Sequence, residues 1–81
     1  MPLIVSDTKG IPVTRQDRIK AAVEAGGRQL PEHHEGWISG GHHGNVRVLI
    51  TGPQGFERVL RFHLDEEPME ITRRVKETLE A

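Results

Sequence analysis

The sequence predicts an α+β domain, a two-layer βαββα sandwich in which a three-stranded sheet carries two helices on one face. Three observations predict it. Val46-Arg47-Val48-Leu49-Ile50-Thr51 and the run from Phe56 to Leu64 are β-rich, alternating segments joined by the turn Gly52-Pro53-Gln54-Gly55. Two further segments, one on each side of that hairpin, repeat apolar residues at helical spacing. The length, 81 residues, gives room for one core and not two. Two helices on one side of the sheet is the simplest way to bury both apolar stripes.

Leu3-Ile4-Val5 is short, apolar and β-branched and runs into the turn composition Asp7-Thr8-Lys9-Gly10, which makes it the first strand. Pro12 ends that extended segment. Thr14 stands three residues before Asp17 at the head of a periodic stretch, the spacing of a capping box in which hydroxyl and carboxylate satisfy orphan amides. Ile19, Ala22 and Val23 share one helical face, and Gly26-Gly27 marks the end of that helix. So thin an apolar stripe needs a sheet to lie on.

The composition then changes abruptly. Residues 31–45 hold four of the nine glycines and four of the five histidines. A long Gly/His-rich loop is expected there, with at most a short strand at residues 36–39, and loops of that length inside compact domains are usually functional or disordered. After the hairpin, Asp65-Glu66-Glu67-Pro68 opens the last helix, since acidic groups suit the positive end of the helix dipole and proline suits its first turn. Ile71, Val75 and Leu79, at i, i+4 and i+8, form its buried seam.

This arrangement leaves one face of the sheet uncovered. If Val46, Val48, Ile50, Leu60, Phe62 and Leu64 point at the helices, then Arg47, Leu49, Thr51, Val59, Arg61 and His63 occupy the opposite face. Exposed aliphatics beside arginines and a histidine make that face a candidate contact surface for a protein partner, against the alternative of an ordinary solvated face.

Composition narrows the function classes. Eleven Lys+Arg against twelve Asp+Glu give a formal charge of -1, without the basic surplus of a protein that binds duplex nucleic acid by charge alone. There is no cysteine, so no disulfide compensates for a small core, and stability must come from packing, metal or association. No apolar run is long enough to span a membrane, and the chain is expected to be cytoplasmic. With serine only at Ser6 and Ser39, no Gly-x-Ser-x-Gly elbow and no phosphate-cradling glycine fingerprint, parts for an enzyme are few. Histidine is the exception, because full protonation of all five would move the charge from -1 to +4.

Those histidines support two chemical readings. One imidazole from the pair His33-His34 and one from the pair His42-His43 could converge on Zn2+ or Ni2+, with Glu32 or Glu35 adding an oxygen ligand. The alternative is a solvated loop that needs no cofactor. The stretch Gly41-His42-His43 entering a strand, followed by a second strand and a helix, resembles the Gly-x-His segment of the HicA mRNA interferase toxins. That resemblance implies a double-stranded-RNA-binding-like fold, with His42 or His43 as general acid/base for RNA cleavage and Arg47 or Arg61 near phosphate.

Two further resemblances lie elsewhere in the chain. Pro2-Leu3-Ile4-Val5, with Met1 removed, looks like the start of the 4-oxalocrotonate-type tautomerases, whose terminal proline is a base. Ile4-Val5, residues 12–31, Val46-Arg47-Val48 and residues 71–79 together resemble the DNA-damage-inducible protein I (DinI-like) family, which covers most of the chain. This resemblance implies a βαββα fold and a non-enzymatic regulator that docks on the RecA recombinase filament through an acidic surface on its last helix. The matching positions are Glu66, Glu67, Glu70, Glu77 and Glu80, interrupted by Arg73, Arg74 and Lys76.

The leading expectation is therefore a small non-enzymatic interaction or regulatory module, monomeric or homodimeric, binding a protein through Arg47, Leu49, Val59, Arg61 and His63 on the open face or Glu70 and Glu77 on the last helix. A histidine-dependent ribonuclease and a metal-binding domain using His33, His34, His42 and His43 are the alternatives.

Overall fold

The computed structural model describes residues 2–81. Its order is β1 (Leu3–Lys9), α1 (Val13–Gly26), β2 (His34–Gly40), β3 (Asn45–Thr51), β4 (Glu57–His63) and α2 (Pro68–Glu80). The fold class is the α+β arrangement expected, but the sheet has four strands in the order β1-β2-β3-β4 and not three. The additional strand, β2, runs parallel to β1 and antiparallel to β3. A parallel neighbour needs a crossover, and α1 supplies it.

β2 occupies seven of the fifteen residues expected to be a loop. Its period-2 pattern is present: His34, Gly36 and Ile38 are buried and alternate with Glu35, Trp37 and Ser39. Histidine and glycine at two of the three inward positions conceal the strand from a reading based on hydrophobicity. The His34 ring is only 5% exposed. Its Nδ1–H donates to the Glu32 carbonyl at 2.7 Å, and the ring meets Phe56 edge-on with centroids 4.9 Å apart. A Cβ on Gly52 would collide with that ring, so glycine there is a packing requirement.

Both hairpins close with the same turn, one residue later than the sequence places the second. In Gly41-His42-His43-Gly44-Asn45 and Gly52-Pro53-Gln54-Gly55-Phe56, the first N–H donates to the fifth carbonyl, at 2.7 and 3.0 Å. The fifth N–H donates back to the second carbonyl in each. His43 and Gln54 both sit at φ 60°, followed by Gly44 at φ 78° and Gly55 at φ 77°. Two successive left-handed residues are the type I′ geometry, whose twist matches that of antiparallel strands, and glycine takes the second of them without strain. Pro53 therefore precedes the left-handed pair instead of entering it.

The inward faces of all four strands and the seams of both helices form one core. Leu3, Ile38, Val46, Val48, Ile50 and Phe62 from the sheet meet Ile19 and Val23 of α1 and Ile71 and Val75 of α2. Leu79 packs at the margin of this cluster. The helices cross closely at Gly26, where a Cβ would lie 2.6 Å from Val75 Cβ. Thr72 Oγ1 donates to the Ala22 carbonyl at 3.0 Å across the same contact.

The first helix starts without the capping box. Pro12 holds the N-cap position, no side chain caps the terminus, and Thr14 lies inside the first turn where its hydroxyl cannot serve. Instead Arg15 N–H donates to the Pro12 carbonyl at 2.8 Å and Gln16 Nε2 to the Ile11 carbonyl at 2.9 Å. The last helix begins at Pro68, in its first turn, as its acidic entry segment predicts. No described helix is long and apolar enough to cross a membrane.

Candidate functional site

Strand register turns the uncovered face into rows of side chains. Cross-strand partners Glu35, Thr51 and Glu57 form one row, Trp37, Leu49 and Val59 the next, and Ser39, Arg47 and Arg61 the third. On the edge strand β1, Ile4 extends the first row, Asp7 the second and Lys9 the third. A one-residue irregularity between Val5 and Asp7 lets β1 keep this alignment. The middle row is an apolar stripe with an acidic row on one flank and a basic row on the other.

The stripe is open to solvent. Trp37 and Val59 are 40% and 39% exposed, and Leu49 between them is half-buried. Directly opposed residues hold their Cβ atoms about 4.5–5.5 Å apart, so the three side chains form one continuous apolar surface. Trp37 Nε1 reaches Thr51 Oγ1 at 3.5 Å, which turns the indole toward the acidic row.

The charges on either side differ in how they are satisfied. Lys9 pairs with Asp7 at 3.7 Å, and Glu35 accepts from Ser6 Oγ at 3.1 Å and faces His33 Nε2 at 3.8 Å. Among the described residues, Arg47, Arg61 and the Glu57 carboxylate have no ion-pair or side-chain hydrogen-bond partner. Arg47 and Arg61 are cross-strand neighbours, an arrangement of like charges that costs stability unless an anion sits nearby. Two shallow depressions flank Arg47: one of about 200 Å³ against Lys9, Trp37 and Leu49, the other of about 240 Å³ against Gly41, Asn45 and Arg61.

His63 lies at the end of this face and belongs to a corner assembly. The Asp65 N–H donates to its Nδ1 at 3.1 Å, which leaves Nε2–H to donate to the His43 carbonyl at 3.0 Å. The Asp65 carboxylate receives Arg15 Nη1 at 2.6 Å. That hydrogen bond holds the Asp65 carboxyl below its ordinary range, aided by the charge of Arg15 and, more weakly, of His63 and Arg18. The cluster ties α1, the β2–β3 turn and the β4–α2 link together.

The acidic positions on α2 are not a free patch. Arg73 donates to Glu70 and, at 2.7 Å, to Glu77, so one guanidinium holds both carboxylates expected to dock a partner. The Arg73 bond is the main reason the Glu70 carboxyl is held low, and both carboxylates hold the guanidinium firmly protonated. Arg74 contacts Glu66 at 3.5 Å and donates to the Arg61 carbonyl at 3.1 Å. A third depression, of about 370 Å³, lies between the end of α1 and α2, lined by Gly26, Leu30, Thr72, Lys76 and Leu79.

The histidine pairs are not brought together. His33-His34 and His42-His43 stand at opposite ends of the seven-residue strand β2, separated by about 20 Å at about 3.3 Å per residue. Among the described residues no three His, Cys, Asp or Glu side chains form a group that could hold a metal ion. His42 and His43 are exposed in the turn, with ring centroids 6.4 Å apart, while His34 serves the core. Met1, on whose removal the tautomerase resemblance depends, lies outside the described residues.

The face gains residues that the three-strand expectation could not supply. Trp37, Glu35 and Ser39 belong to it only because β2 joins the sheet, and Lys9 and Asp7 only because β1 pairs with β2. The alternation of Glu35, Trp37 and Ser39 against His34, Gly36 and Ile38 was the available signal. Compared with protein-family models, curated proteins and solved structures, the chain matches none.

Proposed function

We propose that this chain is a small non-enzymatic interaction module that binds a protein partner through the uncovered face of its sheet. The observation that carries the reading is the stripe of Trp37, Leu49 and Val59, aligned across three strands and bordered by Glu57, Arg47 and Arg61 without partners among the described residues. Exposed aromatic and aliphatic side chains gain the most from being covered, and a charged rim orients what covers them. The last helix, the docking element in the DinI-like expectation, is the weaker candidate because Arg73 already engages Glu70 and Glu77.

Affinity capture with the intact protein separates the two surfaces. Leu49→Lys and Val59→Lys, both on the solvent side of the sheet, are expected to abolish partner recovery while leaving the melting temperature within a few degrees of the parent. Glu70→Lys combined with Glu77→Lys is expected to keep the partner. The opposite pattern, loss with the helix variant and retention with both sheet variants, overturns the reading.

A further inference from the structure

The rows on the open face have a symmetry that names an occupant. A two-fold axis lying in the plane of the face and running along the Trp37–Leu49–Val59 stripe returns each stripe residue to its own equivalent and exchanges the flanking rows. The acidic row of one copy then lies over the basic row of the other, and the reverse holds on the far side. Turning the axis by a right angle, along the strands through the centre of the face, instead lays each row over the same row with the strands exchanged, so that Arg61 lies over Lys9 and Thr51 over Glu35. One of the two face-to-face arrangements is thus self-complementary and the other is repulsive.

We infer that the open face is occupied by a second copy of this chain, in a face-to-face dimer with its two-fold axis along the Trp37–Leu49–Val59 stripe. The inference rests on the reading of that face as a protein-docking surface and supplies the partner. In this arrangement Glu57 lies over Arg61 of the second copy and Thr51 over its Arg47, with Glu35 one strand away. Each contact occurs twice, because an isologous interface uses the same patch on both subunits. Glu57 and Arg61, which have no side-chain partner among the described residues, gain counter-charges directly, and Arg47 comes within one strand spacing of Glu35 and Glu57 of the second copy. Asp7 approaches its own equivalent at the margin of the stripe and brings Lys9 as counter-ion at 3.7 Å.

Neither sheet edge offers so complete a surface. The Glu24 carboxylate accepts the Val5 N–H of β1 at 2.9 Å, and Arg74 donates to the Arg61 carbonyl of β4, so each edge is partly closed by a charged side chain. Size sets the expected strength. Four strands about 4.8 Å apart and about 23 Å long present about 400 Å² per copy. That is half of the roughly 800 Å² per partner in a standard stable interface, so dissociation in the micromolar to submillimolar range is expected.

Sedimentation equilibrium of the full chain over about 10 µM to 1 mM tests this, with charge reversals as the discriminating variants. Glu57→Arg and Arg61→Glu alter solvent-facing positions, and the second adds a cross-strand counter-charge to Arg47, so both are expected to fold. Each alone is expected to weaken self-association about tenfold. An equimolar mixture of the two is expected to associate as the parent does, because the arginine introduced in one lies over the glutamate introduced in the other and the unaltered Arg61 of the first lies over the unaltered Glu57 of the second. A monomeric parent at 1 mM, unaltered association in both single variants, or a mixture no stronger than its components overturns the dimer. If the parent is monomeric yet Leu49→Lys loses a different captured protein, the dimer fails and the docking surface stands. If Leu49→Lys changes neither self-association nor capture, both fail.

Discussion

His34 and His43 carry the same imidazole to opposite ends. His34 is enclosed by Phe56, Gly52 and the Glu32 carbonyl and acts as a core residue with one polar handle. Truncation to alanine removes the ring and leaves that carbonyl without its donor, so His34→Ala is expected to cost about 2–4 kcal/mol in denaturant unfolding. His42→Ala, exposed in the turn, is expected to stay within about 0.5 kcal/mol of the parent. Adjacent histidines in a sequence give no hint of this division, because burial depends on which strand edge the pair meets. At the same scale, Asp65 shows how a single exposed contact becomes measurable. Its carboxyl is expected to titrate below the ordinary 3.8 in NMR of the folded chain, and to move back toward it in Arg15→Ala. A lowered folded-state value favours the native state above the unfolded-state pKa. That contribution disappears as pH falls through the folded value, so the Arg15–Asp65 contact matters at neutral pH and vanishes in acid.

At the scale of elements, the two hairpins and the two helices are set by small residues. Gln54 takes φ 60° ahead of Gly55, a conformation that asparagine adopts more readily. Gln54→Asn is therefore expected to stabilise the β3–β4 hairpin by a few tenths of a kcal/mol, whereas Gly55→Ala, forced to φ 77°, should cost about 1 kcal/mol. Thermal unfolding resolves both, since about 1 kcal/mol shifts the midpoint by roughly 4–8 °C in a domain of this size. Gly26 has the opposite role, letting α1 approach α2. Gly26→Ala drives a methyl into Val75 and should cost about 1–3 kcal/mol, and Val75→Ala in the same chain should recover part of that loss. The capping-box spacing at Thr14 and Asp17 shows why a local motif alone misleads: Pro12 takes the N-cap position two residues earlier, and the hydroxyl is left on the surface.

At the scale of the whole molecule, one face of the sheet is covered by helices and the other is not. A chain of 81 residues has a poor ratio of surface to core, and its two helices suffice for one face only. The uncovered side keeps Trp37, Leu49 and Val59 in a line between opposite charges. Leu49→Lys is expected to leave unfolding free energy within about 1 kcal/mol of the parent, because the lost contacts are on the solvent side, while altering association strongly. The added charge repulsion in that variant, against Arg47 two residues away on the same strand and Arg61 on the neighbouring one, falls with salt, so a stability deficit that shrinks at 0.5 M NaCl is expected.

Sequence alone determined the hairpin of β3 and β4, the two helices, their buried seams and the alternation that sends Arg47, Leu49, Val59, Arg61 and His63 outward. These follow from periodicity in continuous apolar runs, which is a local property of the chain. The number of strands, the partners of each histidine and the order of the rows were decided only by the tertiary structure. β2 has histidine and glycine where a strand normally buries aliphatics, and those positions are filled only because Phe56, Gly52, Leu3 and Val5 arrive from elsewhere in the chain. The segregation of charge into rows is likewise invisible in order, since Glu57 and Arg61 share a strand while Glu35 and Arg47 do not. Register between strands puts like with like, and register is a product of packing the inward face.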